Sequence, residues 1–252
     1  MLSTLRQLAF ILLVSVNTSL IAQEAYDIQV FSSPTVEKHL TEFALHANVA
    51  PRGPKAMPFY GHPFHATLEA TTGILENFEL GIYAFTRYSE NEYRFMGTHI
   101  RPRITAPQKW HWKFGASLSF EFGILKEPGE DEFDWDYNIR PIIDKSFGKH
   151  YVAINPNFEG DITTHTFEVN PCLKYSYSVS EKAAFGLEYF SKLGPPLHPD
   201  NGSEQAHVLY VTSDVELLPE YKMNVGVGHG FTEHSDVWSI KIILSTGVRW
   251  FK

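Results

Sequence analysis

From about residue 41 onward, apolar side chains recur at every second position with few interruptions. Phe43, Leu45, Ala47 and Val49 form the first stripe, and Phe64, Ala66, Leu68 and Ala70 the next. The longest unbroken example is KWHWKFGASLSFEFGI at 109–124. There Trp110, Trp112, Phe114, Ala116, Leu118, Phe120, Phe122 and Ile124 alternate with charged residues, serines and glycines. A period of two belongs to a β-strand with different environments on its two faces. The pattern predicts a strand over the whole of 109–124, and twelve strands in the chain, an even number.

The links between stripes fall into two sets. Segments 50–62, 125–133 and 191–204 are long, polar and rich in Pro and Gly, whereas 73–77, 106–109, 146–149, 178–182 and 218–221 are tight. The two sets alternate, with 89–92 and 231–236 as short members of the long set. Long loops on one rim and short turns on the other are the habit of outer-membrane barrels. A β-sandwich also offers many strands and turns, but it predicts strands of about five or six residues and no alternation of link length. The stripes here are commonly near the 9–11 residues that a tilted strand needs to cross a bilayer. The predicted fold is all-β, a single antiparallel transmembrane β-barrel of about 12 strands over 41–251. Its apolar face meets lipid and its polar face lines the lumen. Trp110 and Trp112, and Trp238 and Trp250 at opposite ends of the last stripe, then mark the interfaces where amphipathic rings are favoured.

Upstream, one early Arg6, a short apolar run at 8–14 and small or polar residues before Ala22 or Ala25 describe a secretory signal peptide, assigned to 1–22. The run is too short for a spanning helix. Residues 23–40 lack a sustained stripe and are expected to form a periplasmic N-terminal arm. Loss of Arg6 with the leader, and of no acid, takes the net charge from −8 to −9, which argues against nucleic acid as a partner. A single cysteine, Cys172, excludes an intramolecular disulfide.

The stretches AAFGLEYFSKLGP (183–195), HVLYVTSDVEL (207–217) and YKMNVGVGHGFTEHSDVWSIKIILSTGVRW (221–250) resemble a family of Gram-negative outer-membrane barrels named for the MetA pathway of phenol degradation. The resemblance covers about 145–251. It implies an integral outer-membrane barrel with a transport role and supplies no catalytic residues or cofactor. The aromatic end of the chain at 247–252 also resembles the signal read by the barrel assembly machinery, with Lys252 as a departure. Lipid, lipopolysaccharide and that machinery are the expected partners, with a small solute as cargo. The acidic loop 127–136 is expected to be solvated at the lipopolysaccharide surface.

With the apolar stripe toward lipid, the lumen receives charges of both signs. The candidates for lining or selecting are Arg101, Arg103, Lys113, Glu121, Asp134, Asp136, Arg140, Glu168, Glu188 and Lys241. Such residues serve equally as a charge-selective constriction or as cross-linked pairs that stiffen and fill the interior. His46, His65 and Glu69 share an inward face and form a candidate metal site, although without a recognised ligand spacing. No G-x-S-x-G, H-E-x-x-H or P-loop occurs, and Ser117 and Ser119 lie on the polar face. The expected protein is a non-enzymatic, narrow channel for passive transport. The alternative is a plugged barrel that binds a partner and transports nothing.

Overall fold

The computed structural model describes residues 26–56, 63–89, 91–126 and 132–250. The expected signal peptide, part of the acidic loop and residues 251–252 lie outside the described residues. Twelve strands follow one another: β1 (Leu40–Pro54), β2 (Phe64–Leu75), β3 (Phe78–Ser89), β4 (Glu92–Thr105), β5 (Gly115–Leu125) and β6 (Asp134–Phe147) make the first half. The second half comprises β7 (His150–Asn155, resuming as Phe158–Asp161), β8 (Thr166–Val169, resuming as Cys172–Ser178), β9 (Ala183–Lys192), β10 (Ala206–Leu218), β11 (Tyr221–Gly230) and β12 (Asp236–Arg249). Each pairs antiparallel with the next, and β12 returns to β1 with Leu40 opposite Arg249 and Val49 opposite Ile240. The sheet is therefore a closed barrel. Closure pairs the backbone groups within the sheet, which is how strands cross lipid without unsatisfied amides.

The stripes read from the sequence set the register. Leu45 on β1 lies opposite both Leu68 on β2 and Leu244 on β12, and all three are exposed on the outer wall. Ile82, Ile100, Leu118, Leu187, Val211 and Val227 extend this apolar belt around the barrel. Leu68 is 59% exposed near the middle of its strand. Its replacement by Arg is expected to destabilise the folded barrel by about 2–4 kcal/mol, the usual cost of such a charge at the bilayer midplane. Urea unfolding of the vesicle-inserted variant measures this, and an unchanged midpoint would mean that Leu68 does not face lipid.

Two departures from strict alternation matter for the site. Pro156 and Pro171 each interrupt a strand, because proline cannot donate to the ladder. The breaks lie side by side and are bridged by the Asn170 amide donating to the Asn157 carbonyl at 2.9 Å. Asn155 and Asn157, flanking the first break, both project into the lumen. The second departure corrects the expectation of a strand over 109–124. β5 begins only at Gly115, after a 3-10 turn at Gln108–Trp110 and a left-handed His111 (φ 54°). Trp110, Trp112 and Phe114 pack in sequence as tilted rings with centroids 5.1 and 5.3 Å apart and remain exposed. Their alternation serves an interfacial girdle without strand pairing, since ring preference for the interface does not depend on the ladder. The tight turn expected at 106–109 is consequently a longer rim segment.

Residues 26–36 do not extend away from the barrel. The chain crosses the short-turn rim where His39 N donates to the Gly73 carbonyl at 3.0 Å, and it then runs up inside the lumen. At Gly73 any Cβ would sit 2.2 Å from the Glu37 carbonyl oxygen, so this crossing requires glycine. The segment expected in the periplasm is therefore an internal arm. Two apolar clusters form around it. Ile28 and Val30 pack with Ala153, Cys172, Phe190, Val208 and Tyr210, and Tyr26 packs with Tyr83, Phe85 and Met96.

Candidate functional site

The lumen is built from inward positions on every side of the barrel, and the arm occupies its axis. Its anchors begin near the rim, where the Val36 amide donates to Glu79 Oε2 at 2.6 Å. Above that, the Ser33 amide and hydroxyl both donate to the Asp144 carboxylate at 2.7 Å. Gly115 lies beneath this contact, and a Cβ there would stand 2.1 Å from both Ser33 Oγ and Asp144 Oδ1. At mid-height Asn155 clamps Phe31 as a strand neighbour would. Its Oδ1 accepts the Phe31 amide at 2.7 Å while its Nδ2 donates to the Phe31 carbonyl at 3.0 Å. Higher still, Lys241 Nζ donates to the Ile28 carbonyl at 2.8 Å and Thr67 Oγ1 to the Tyr26 carbonyl at 2.7 Å.

Around this axis the wall carries a lattice of ion pairs. Arg101 reaches Glu69 at 2.7 Å and Glu79 at 3.3 Å, and Arg103 meets the same Glu79 at 2.8 Å. Arg140 pairs with Glu121 at 3.0 Å and bonds Asn157 through Nε at 3.0 Å. On the other wall Glu188 joins Lys241 at 2.5 Å and Lys174 at 2.9 Å. The three guanidiniums of Arg101, Arg103 and Arg140 converge on one ring. Their central carbons lie 4.7, 5.8 and 4.4 Å from the Phe31 centroid. Such cation–π contacts strengthen when water is excluded. Here the arginines are 2%, 6% and 1% exposed.

The sequence candidates fall into three groups. Arg101, Arg103, Glu121, Arg140, Glu188 and Lys241 are buried in the packed middle of the lumen. Asp134, Asp136 and Glu168 line its long-loop half. Asp136 faces His99 at 2.7 Å and Glu168 pairs with Lys192 at 2.7 Å. Lys113 is not in the lumen. It is exposed on the rim segment before β5, where it lines a cleft of about 650 Å³ with Trp112, Asp144, Ser33 and Pro34. Of the metal candidates, the fold joins His46 Nε2 to Glu69 at 3.0 Å, while His65 turns to Asn48 at 3.3 Å and meets Tyr26 edge to face. The third group on the His46 imidazole is Asp27 of the arm, 3.4 Å from Nδ1. These separations are those of imidazole–carboxylate contacts, and no group of three or more His, Cys, Asp or Glu arranged to hold a metal occurs among the described residues.

Asp27 and Phe31 are the participants that the strand pattern did not reveal. A signal was nonetheless present. Tyr83, Phe85, Phe190, Val208 and Tyr210 are apolar residues on the inward parity of their strands. A water-filled lumen gives no reason for them, and an apolar segment lying inside does.

A closed twelve-stranded barrel with an apolar outer belt and an ionic interior is an integral outer-membrane β-barrel protein. Its fold is similar to that of an outer membrane channel from Pseudomonas putida F1 (TM-score 0.63, 8% identity, 88% of this chain and 100% of that chain covered). It is likewise similar to a KdgM porin (TM-score 0.56, 10% identity, 81% and 98% covered) and a NanC porin (TM-score 0.54, 6% identity, 84% and 100% covered). At these identities the likeness is one of fold. No protein-family model and no curated protein sequence matches the chain.

Proposed function

We propose that this barrel is a channel for small solutes, closed at mid-height by its own N-terminal arm and conducting when the arm withdraws. The observation that carries this reading is the placement of residues 26–36 along the lumen axis. Eight-stranded barrels can be filled by side chains alone, while 16-stranded ones hold an aqueous channel. A twelve-stranded barrel falls between them, and here a separate stretch of chain completes the packing. The polar anchors of the arm are mainly its backbone groups, and several of the side chains that hold them remain paired with wall residues when it leaves. Glu79 keeps its arginines and Lys241 keeps Glu188. Withdrawal thus exposes a lumen whose ionic lattice is largely complete.

The resemblance of about 145–251 to the MetA-pathway family belongs to this reading, as does delivery by the barrel assembly machinery through the aromatic end of the chain. The named lumen residues act in it as the lining of the opened path. Single-channel recording in planar bilayers tests it. The wild-type protein is expected to show rare, brief openings. Asn155→Leu, which removes both bonds to Phe31, is expected to lengthen them at least several-fold. Silence in both proteins, with each folded and inserted, would favour a permanently plugged barrel that binds a partner.

A further inference from the structure

The arm carries one formal charge between residues 26 and 36, that of Asp27. Asp27 is 4% exposed, and its carboxylate enters the wall between Arg140 and His46, each of which also meets a wall carboxylate, Glu121 at 3.0 Å and Glu69 at 3.0 Å. One oxygen lies 3.5 Å from Arg140 Nη1 and the other 3.4 Å from His46 Nδ1. Neither oxygen accepts a hydrogen bond among the described residues. A buried carboxylate held only by such long contacts regains little of its desolvation cost, because charges that leave water are compensated well only at hydrogen-bonding distance. The neighbouring donors are also underused. Among the described residues, Arg101 Nη1 and Nε have no hydrogen-bond acceptor. Arg103 spends Nη1 and Nη2 on the Ser32 and Pro34 carbonyls at 2.9 and 3.0 Å. Two oxygens set before one guanidinium fork are what a carboxylate offers with greater charge.

We propose that the arm is a stand-in for the solute: a small carboxylate anion binds the Arg140–His46 position held by Asp27 and the Arg103 fork held by the two carbonyls, and in doing so displaces the arm. A free anion can settle at hydrogen-bonding distance where Asp27, tethered by its backbone, does not. The inference rests on the displaceable-plug reading above, and it adds the class of solute. A neutral solute would take the carbonyls' place but leave the Arg140–His46 position uncompensated. A cation in the place of the Asp27 carboxylate would lie against the Arg140 guanidinium.

The test uses the full chain as Val30→Cys in a Cys172→Ser background, refolded in detergent. Val30 is buried against the lumen wall while the arm is docked. A membrane-impermeant methanethiosulfonate therefore reports on withdrawal. Succinate is expected to raise the labelling rate about fivefold or more, since a ligand shifts a two-state equilibrium by its differential affinity. Uncharged succinamide and sodium chloride of matched ionic strength are expected to leave it unchanged. Adding Arg140→Gln is expected to remove the succinate effect. Equal rates with succinate and succinamide, or an effect that survives Arg140→Gln, would overturn the proposal. Ile28→Cys replaces Val30→Cys if the latter does not fold. The labelling readout is independent of conductance. A silent barrel with succinate-dependent labelling would retain the anion site and remove the channel, and a conducting barrel indifferent to succinate would do the reverse.

Discussion

Deleting residues 26–34 is expected to turn a barrel that is closed most of the time into one that conducts continuously, with little loss of barrel stability. Docking the arm buries Tyr26, Ile28, Val30 and Phe31, each contributing about 1.5–3 kcal/mol by removal of apolar area from water. Ordering its backbone costs about 1–2 kcal/mol per residue, and this applies to the polar residues as well. The two quantities are of the same order, so the docked arm is held by a narrow margin. The belt and the ladder of the barrel do not involve the arm and should survive its removal. Planar-bilayer recording and urea unfolding of the same preparation check both halves. A deletion variant that folds with the wild-type midpoint and stays silent would show that the wall side chains close the lumen unaided.

The second large effect is expected at Glu79. Its side chain is fully buried, and Oε1 lies between Arg103 Nε at 2.8 Å and Arg101 Nη2 at 3.3 Å. Glu79→Gln removes the charge shared by two buried guanidiniums and leaves the shape nearly intact. Breaking a buried pair by losing one partner typically costs about 3–5 kcal/mol, because the remaining charge stays desolvated. The expected result is a large fall in unfolding midpoint together with longer openings, since the Val36 anchor also weakens. Replacing Glu79 and Arg103 together by Gln and Met should cost less than Glu79→Gln alone. Additive losses in that cycle would mean that the two side chains do not interact.

The strand pattern was legible because each outward residue answers to one requirement, contact with lipid, and that requirement repeats at every second position. Leu45, Leu68 and Leu244 could be assigned to one surface without knowledge of one another. The partition of Arg101, Arg103, Arg140, Glu188 and Lys241 to the lumen followed by the same parity. The start of β5 was not legible, because Trp110, Trp112 and Phe114 satisfy the interface in a strand or outside one. Lys113 was carried to the wrong surface by the same ambiguity. The arm was hidden for a different reason. Residues 26–31 bury their side chains against residues from many strands, and no local period records contacts made at such separations. Only the unexplained inward aromatics, Tyr83, Phe85, Phe190 and Tyr210, pointed to it from a distance.

The bond from Lys241 to the Ile28 carbonyl joins positions 213 residues apart. It fixes an order of events in biogenesis. The arm leaves the ribosome before every strand, yet this contact can form only after β12 has been made and brought into the wall. A segment made before every strand thus completes its contacts only after the last of them, so the full set of arm bonds belongs to a barrel that includes β12.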